Sequence, residues 1–333
     1  MPLNLAILGG GSWGTALAIV LAPRFERVRI WVYERDLAAR MQSTRENDVY
    51  LAGLKLPNQV EVETSLERVL DGAEILLAVT PSRHARRIYS DALPYLDPWM
   101  TFVSATKGLE QTTLLRMSEV LGQVVGQRFV PKIAVLSGPT FAREVARGEP
   151  AALVVASNDS RVAVEVQAAF SGPTFRPYTN PDVIGVEVGA ALKNVVAIGA
   201  GVCQGLGLGN NTLAALITRG LAEITRLAVA MGGQPKTLAG LAGLGDLVLT
   251  CTGELSRNRK VGIELASGED LAAIVASMPM IAEGIETCEA AVALGRKFSV
   301  NLPIIEQMHA VMYSGKAPRE ALRDLLERSL KGE

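Results

Sequence analysis

The stretch LAILGGGSWGTALA, Leu5–Ala18, decides the fold of the first half of the chain. Its apolar start predicts a short buried strand and its small-residue end predicts a helix, with the G-x-G-x-x-G turn of Gly9, Gly11 and Gly14 between them. The first glycine permits a sharp turn, the second lets a pyrophosphate approach the backbone, and the third lets the helix pack closely on the strand. Because a helix N-terminus also attracts phosphates, the pattern predicts a dinucleotide site. The alternative is a glycine turn in another kind of α/β domain.

Length and composition limit the classes of protein to consider. The chain has 333 residues, enough for one large or two medium domains, and 49% of them are hydrophobic, which supports a sizeable core. A formal net charge of −1 gives no extended positive surface, so we expect no nucleic-acid partner. The uncharged run of residues 5–23 lacks the basic start of a signal peptide and is interrupted by glycines, so we expect no integral membrane segment.

Cysteine and histidine content argues against a disulfide scaffold and against a metal centre. Cys203, Cys251 and Cys288 are odd in number and widely spaced, which fits neither a disulfide framework nor a zinc site. We therefore expect a reduced, cytoplasmic setting and no metal. The two histidines, His84 and His309, are far apart in sequence, which argues against a Ser-His-Asp arrangement and leaves His84 as a residue that would act alone.

Apolar runs alternate with helical patterns through the first half of the chain. The runs predict strands at residues 5–8, 28–33, 73–79, 101–105, 132–136, 151–156 and 174–178, and the patterns between them predict helices such as 83–93 and 113–124. This alternation predicts a Rossmann-type, doubly wound α/β domain with a mainly parallel sheet. Such sheets bind ligands at the carboxyl ends of their strands, where Lys107, Gly138 and Thr140 fall.

Three charged residues in this half keep two interpretations each. Lys107 follows a strand and precedes a glycine, so it is either a ligand of a phosphate or substrate oxygen or a solvated loop lysine. Glu34 and Arg35 lie about 20 residues beyond the glycine turn, where an acid favours the ribose hydroxyls of NAD and an arginine favours the 2′-phosphate of NADP. The cofactor is therefore NAD or NADP, unless both charges belong to an ordinary loop.

The character of the sequence changes after Pro181, where strand-like runs give way to helical ones. We predict a dinucleotide-binding domain of residues 1–182 and an all-α substrate and catalytic domain of residues 183–333. The predicted helices cover residues 183–206, a segment capped by Asn211 that stops at Gly232-Gly233, residues 287–297 after a loop at 281–286, a segment from Pro303, and residues 319–331.

Lys193 is a charged residue within the apolar run AALKNVVAI. Burying a charged lysine is costly, and burial lowers its pKa towards the range that suits proton transfer near neutral pH. Asp246, in the apolar run LAGLAGLGDLVLTC, is the natural partner, and Glu187 and Asn194 are the other polar residues nearby in sequence. The alternative is a lysine on the one polar face of its helix, with the ammonium group in water.

Ser256, Arg257 and Asn258 stand at a predicted helix start, within SRNRK. A guanidinium fork together with the free N–H groups of a helix N-terminus suits a small phosphate. A solvated basic turn is the alternative.

Eight segments carry a resemblance to one enzyme family: GGGSWGTALA, SATKGLE, SGPTFAREV, ALKNVVAIGAG, LAGLGDLVLTC, SRNRKVG, EGIETCEA and LPIIEQMHAVMYSG. Together, in this order and over nearly the whole chain, they resemble the bacterial type of NAD(P)-dependent glycerol-3-phosphate dehydrogenase. The resemblance implies interconversion of sn-glycerol 3-phosphate and dihydroxyacetone phosphate, which supplies the backbone for phospholipid synthesis. A homodimer is also expected.

The resemblance also implies residue roles. Lys193 would be the proton acceptor and donor, with Asp246 and Lys107 as further catalytic residues. Substrate contacts are implied for Lys107, Gly138, Thr140, Lys193, Asn194, Asp246, Thr250, Ser256, Arg257 and Asn258. Beside the three glycines of the turn, cofactor contacts are implied for Ser12, Trp13, Arg35, Lys107, Ala142, Arg257, Ile281 and Glu283. Glu34 departs from the small residue that bacterial members often carry before the arginine, and this shifts the expected preference towards NAD.

Two other functions compete with this one. A 3-hydroxyacid or opine-type dehydrogenase of the same architecture would also use a lysine on a helix after the nucleotide domain, but it would leave the charge of SRNRK unexplained. A dinucleotide-binding regulator would bind the cofactor without turnover, but it would not need a buried Lys193–Asp246 pair.

Overall fold

The computed structural model describes residues 3–278, 280 and 282–329. Within this part of the chain one sheet of eight strands fills the N-terminal half, in the spatial order β3-β2-β1-β4-β5-β6-β7-β8. All neighbouring strands are parallel except β6 and β7, which are antiparallel. The strands are β1 Asn4–Leu8, β2 Arg27–Trp31, β3 Val60–Glu63, β4 Ile75–Ala78, β5 Thr101–Ser104, β6 Lys132–Ser137, β7 Ala151–Ala156 and β8 Phe175–Asn180.

Helices cover both faces of this sheet, with a separate hydrophobic core on each face. A parallel sheet needs both covers because its strands are buried on both sides, as β4 and β5 are here. The predicted doubly wound, mainly parallel fold is confirmed. The helices of this half are α1 Ser12–Leu21, α2 Arg35–Thr44, α3 Leu66–Leu70, α4 Ser82–Ala92, α5 Met117–Val125, α6 Ala142–Ala146 and α7 Ser160–Phe170.

Two details of this half differ from the sequence prediction. Strand β3 differs from the predicted strands because its VEVE sequence is no continuous apolar run, and only its valines are buried. The helix predicted to begin at Thr113 begins at Met117 instead. Leu114 has a φ of 62°, which a helix does not allow, and Leu109 forms an isolated antiparallel bridge with Arg116. The segment before α5 is therefore a closed loop, and Lys107 lies at its start.

The C-terminal part of the described chain is all-helical, as predicted. Its helices are α8 Val183–Gly205, α9 Asn210–Ala230, α10 Pro235–Leu238, α11 Asp246–Thr252, α12 Arg257–Ala266, α13 Leu271–Ser277, α14 Glu283–Lys297, α15 Pro303–Tyr313 and α16 Pro318–Leu326, with a π-helical turn at Leu241–Gly245. Among the described helices, α8 alone is long and apolar enough to cross a membrane, but 94% of its apolar window is buried inside the protein. It forms the centre of the helical core.

Helix α12 crosses α8 at very close range. A Cβ atom on Gly262 would lie 1.9 Å from the carbonyl oxygen of Ile198, and one on Gly201 would lie 1.9 Å from that of Arg259. Only glycine permits this contact between the two backbones. The crossing fixes the N-terminus of α12 relative to the part of α8 that carries Lys193.

Two predicted helix starts in this half are wrong. Asn211 is not the cap of α9, because Gly209 occupies the N-cap position in an extended conformation and the helix begins one residue before Asn211. The loop predicted at residues 281–286 is helical from Glu283 onwards. The predicted stop at Gly232-Gly233 is confirmed, since Gly232 has a φ of +98° just beyond the C-cap.

Candidate functional site

The glycine turn joins β1 to α1 at the carboxyl edge of the sheet. Gly9 has a φ of +128°, and a Cβ atom there would lie 2.5 Å from the carbonyl oxygen of Val79. A Cβ atom on Gly14 would lie 1.9 Å from the carbonyl oxygen of Gly9. In contrast, a Cβ atom on Gly11 would meet no atom of the described chain within 4 Å. The first and third glycines thus permit the turn, and the second leaves open space above the N-terminus of α1.

The residues around α1 fit a dinucleotide. Trp13 has a buried Nε1 atom with no hydrogen-bond partner among the described residues. An unpaired buried donor is costly, and a ligand oxygen would remove that cost. Ser12 is the first residue of α1, Ala142 begins α6, which packs against α1, and Arg35 is exposed at the start of α2. Ile281 lies outside the described residues.

Glu283 faces the same edge of the sheet from the helical half. It begins α14, and its carboxylate accepts a hydrogen bond from the hydroxyl of Ser82, at 2.9 Å. Loss of hydration raises the pKa of Glu283 to about 7. A Cβ atom on Gly108 would lie 2.6 Å from Ser82 Oγ and 3.0 Å from Glu283 Oε2, so the Lys107 loop packs directly against this pair.

Lys193 and Lys107 both bind the carboxylate of Asp246, which is 1% exposed. The Lys193 ammonium group donates to Asp246 Oδ1 and to Thr250 Oγ1, the latter at 2.9 Å. The Lys107 ammonium group donates to Asp246 Oδ2 at 3.0 Å and to the carbonyl oxygen of Gly138 at 3.2 Å. The predicted Lys193–Asp246 pair is therefore present, and Lys107 extends it to the sheet.

The pKa of Lys193 is lowered to about 7, because burial lowers it more than the carboxylate of Asp246 raises it, and the nearby charge of Lys107 acts in the same direction as burial. A group with this pKa exists in both protonation states near neutral pH. Lys193 is only 5% exposed, so the alternative of a lysine reaching into water is wrong.

The start of α12 lies beside this cluster. Ser256 is the N-cap and accepts a hydrogen bond from the Arg259 N–H at 3.2 Å. Asn258 donates to the side-chain oxygen of Asn194 at 3.0 Å and accepts from the N–H of Gly284 at 2.9 Å. Asn258 therefore ties α12 to both α8 and α14.

Two further predicted site residues flank the cluster. Burial lowers the pKa of the Arg257 guanidinium, and the charge of Glu283 opposes that shift, which places the two side chains in one electrostatic environment. Thr140 donates to the carbonyl oxygen of Gly138 at 3.2 Å, next to Lys107. Apart from Ile281, which is not described, the predicted residues thus fall into a glycine-turn group and a lysine–aspartate group.

Two family models match the chain and together cover most of it. Residues 4–163 match the N-terminus of NAD-dependent glycerol-3-phosphate dehydrogenase, and residues 182–323 match its C-terminus. The chain belongs to this family. Both groups of the site lie within the matched residues, and the family resemblance noted in the sequence is confirmed.

Full-length relatives support the assignment to the glycerol-3-phosphate dehydrogenase family. A glycerol-3-phosphate dehydrogenase [NAD(P)+] from Koribacter versatilis is 55% identical over 98% of this chain and 97% of its own length. One from Geobacter sulfurreducens is 48% identical over 100% of this chain and 99% of its own length. The crystal structure of glycerol-3-phosphate dehydrogenase from Coxiella burnetii superposes with a TM-score of 0.94 at 39% identity, covering 98% of this chain and 99% of that one.

One residue expected beside Lys193 lies elsewhere, and one residue beside this dehydrogenase site was missed in the sequence. Glu187 is not a companion of Lys193, because its carboxylate binds Arg116 at 2.6 Å and the N–H of Ser118 at 2.8 Å. Its burial within an apolar helix was the available signal, since a buried carboxylate requires partners. Ser82, which binds Glu283, gave no such signal, because single polar residues at helix starts are common.

Proposed function

We propose that this chain interconverts sn-glycerol 3-phosphate and dihydroxyacetone phosphate with NAD or NADP, and that Lys193 is the proton acceptor and donor. The observation that carries the proposal is the buried cluster in which Asp246 binds both Lys193 and Lys107. This cluster lies at the edge of the sheet that carries the glycine turn. It supplies a proton-transfer group and a second positive charge in one place.

The cofactor would be held by the glycine turn, Ser12, Trp13 and the groups around Ala142 and Glu283. The nicotinamide, when bound, supplies or takes up the hydride. Gly11 and the N-terminus of α1 offer backbone N–H groups to the pyrophosphate. Trp13 Nε1 offers a buried donor that has no partner in the described protein.

Lys193 handles the proton. During reduction, negative charge builds on the carbonyl oxygen of the substrate, and the protonated ammonium group stabilises that charge and donates a proton to it. During oxidation, neutral Lys193 accepts the proton of the hydroxyl group. Asp246 and Thr250 hold the Lys193 ammonium group in place. Lys107, which binds the other oxygen of Asp246, would add a second positive charge near the carbonyl oxygen of the substrate.

The phosphate of the substrate would bind at the N-terminus of α12. Arg257 supplies a guanidinium group there, and the helix start supplies partial positive charge. Asn258 hydrogen-bonds to Asn194, the residue that follows Lys193 on α8, and so links this helix start to the part of α8 that carries Lys193. The phosphate would therefore anchor the substrate at a fixed distance from the proton donor.

We extend the proposal to organisation and setting. The last strand ends at Asn180 and α8 begins at Val183, which supports a cofactor domain of residues 1–182 and a catalytic domain of residues 183–333. Three free, buried cysteines suit a reducing cytoplasm. A homodimer that supplies glycerol 3-phosphate for phospholipid synthesis completes the proposal.

The test is oxidation of NADH and, separately, of NADPH, followed by loss of the reduced-nicotinamide absorbance. Dihydroxyacetone phosphate is the substrate, and unphosphorylated dihydroxyacetone is the control. We expect turnover with the phosphorylated substrate alone. Equal turnover with both substrates would refute the phosphate site. Cofactor binding without turnover would instead favour a different substrate or a regulatory protein.

A further inference from the structure

We propose that Tyr50 and Asn47 are positioning residues of the cofactor site, and that Tyr50 sets the preference for NAD over NADP by orienting Glu34. The inference rests on the proposed function in one respect, namely that the glycine turn binds a dinucleotide. Both residues lie in the segment between α2 and β3, outside the motifs that the sequence analysis singled out.

Asn47 holds the glycine turn in place through side-chain hydrogen bonds. It is completely buried, and its side-chain N–H₂ group donates to the carbonyl oxygen of Gly10 and to Thr15 Oγ1, each at 2.8 Å. Its side-chain oxygen accepts a hydrogen bond from the N–H of Tyr50 at 2.9 Å. One side chain thus joins the turn, the first turns of α1 and the segment that carries Tyr50. The turn is held in shape before any ligand arrives, which lowers the ordering cost of binding.

Tyr50 orients the acid at the end of β2. Its hydroxyl donates to Glu34 Oε1 at 2.9 Å. Burial and the charge of Glu34 raise the pKa of Tyr50, so the hydroxyl stays a donor. Glu34 is exposed, and without this bond its side chain would sample several rotamers. The bond fixes the carboxylate where an acid accepts ribose hydroxyls, and it leaves the negative charge that repels a 2′-phosphate.

The segment itself is anchored in the protein. Leu51 is buried against Ala16 of α1 and Ala146 of α6. Asn47 and Leu51 hold the segment at both ends, so the hydroxyl of Tyr50 is presented by a fixed backbone. Because the backbone is fixed, the Tyr50 hydroxyl can hold the Glu34 carboxylate in one orientation. The oriented carboxylate then favours NAD, whereas Arg35 would attract the 2′-phosphate of NADP.

The experiment measures cofactor dissociation constants of the full chain by fluorescence titration with NADH and with NADPH, without substrate. We expect Tyr50→Phe to weaken NADH binding about fivefold while NADPH binding changes less than about twofold. Glu34→Gln should lower the ratio of the NADPH dissociation constant to the NADH dissociation constant more than Tyr50→Phe does. In the Glu34→Gln background, Tyr50→Phe should have no additional effect on the ratio, because the charge that Tyr50 orients is gone.

Asn47 is tested in the same titrations. Asn47→Ala should weaken both cofactors by about tenfold and leave their ratio unchanged. Because this variant removes buried hydrogen bonds, Thr15→Val serves as a milder second variant that deletes one of them, and it should weaken both cofactors to a smaller extent. Tyr178→Phe, an exposed tyrosine on β8, is the matched control and should change nothing.

The outcomes separate the inference from the proposed function. If wild-type protein binds neither NADH nor NADPH, the proposed function fails and the inference fails with it. If wild type binds the cofactor but Tyr50→Phe leaves the ratio unchanged, the role of Tyr50 in cofactor choice is refuted. The same conclusion follows if Tyr50→Phe shifts the ratio equally in the Glu34→Gln background. Unaltered cofactor binding in Thr15→Val and Asn47→Ala would refute the role of Asn47.

Discussion

Lys193 is subject to two opposing effects at the scale of a single residue. Burial disfavours its charged form, and the carboxylate of Asp246 favours it. Because burial is the larger effect, the pKa falls to about 7 although the lysine is bound to an acid. Lys107 also binds Asp246, and its positive charge further disfavours the charged form of Lys193. The environment thus turns an ordinarily cationic side chain into one that exchanges a proton near neutral pH.

This balance predicts opposite pH dependences for the two directions of the reaction. Reduction needs protonated Lys193, so kcat/KM for dihydroxyacetone phosphate should fall as the pH rises through about 7. Oxidation needs neutral Lys193, so kcat/KM for glycerol 3-phosphate should fall as the pH drops through the same value. Initial rates across this range, measured in both directions, check the prediction. If only the ionisation of the substrate phosphate mattered, both rates would fall together at low pH. Parallel pH profiles in the two directions would therefore contradict the role of Lys193.

A substitution isolates the same residue. Lys193→Ala should lower kcat between about a hundredfold and ten-thousandfold, the usual contribution of proton transfer by a side chain. NADH affinity should stay near the wild-type value, because Lys107 still neutralises Asp246. Wild-type turnover in this variant would remove Lys193 from the mechanism.

At the scale of elements, the packing of α12 on α8 places the proposed phosphate-binding residues beside Lys193. The two backbones approach where Gly201 and Gly262 face each other. The sequence predicted α8 and the start of α12 well, because a long apolar run and an N-cap serine are local signals. It did not predict their crossing, because a glycine within a helix carries no information about which backbone it will contact.

The crossing can be tested with a single methyl group. Gly262→Ala places a Cβ atom 1.9 Å from the carbonyl oxygen of Ile198, so α12 must move away from α8. We expect a loss of about 1–3 kcal/mol in the free energy of unfolding. We also expect a higher KM for dihydroxyacetone phosphate, because Arg257 moves with the helix. Thermal melts and steady-state kinetics measure the two effects.

Gly172→Ala is the matched control for this substitution. A Cβ atom there meets nothing within 4 Å of it in the described chain. Its melting temperature and KM should match those of the wild type. If Gly262→Ala behaved in the same way, the close crossing would have no part in placing the substrate.

At the scale of the whole molecule, the loop after β5 is one of the places where the two halves are joined. The loop after β5 carries Lys107, which binds Asp246 of the helical half, and Leu109, which packs into the helical core. Arg116 pairs with Leu109 to close the loop, and its guanidinium group binds Glu187 on α8.

The sequence predicted an α/β half, an all-helical half and the Lys193–Asp246 pair. The pair was predictable because lone charges in apolar stretches require partners. It could not predict Arg116 as the partner of Glu187, because the two are 71 residues apart and no local pattern links them.

This arrangement predicts that Glu187 holds the Lys107 loop in register with the helix that carries Lys193. Its carboxylate accepts hydrogen bonds from Arg116 and from the N–H and hydroxyl of Ser118. Glu187→Gln would turn an amide N–H₂ group towards these donors and remove the negative charge that faces Arg116. We expect a loss of about 3 kcal/mol in the free energy of unfolding, the usual result of breaking a buried ion pair from one side. We also expect a lower kcat with nearly unchanged NADH affinity, because the glycine turn lies on other elements.

Asp159→Asn is the control for this substitution. It removes an exposed pair with Arg161 at 2.9 Å and should leave the free energy of unfolding and kcat unchanged. A Glu187→Gln variant that loses stability but keeps the kcat of the wild type would show that the tie stabilises the fold without positioning the two lysines.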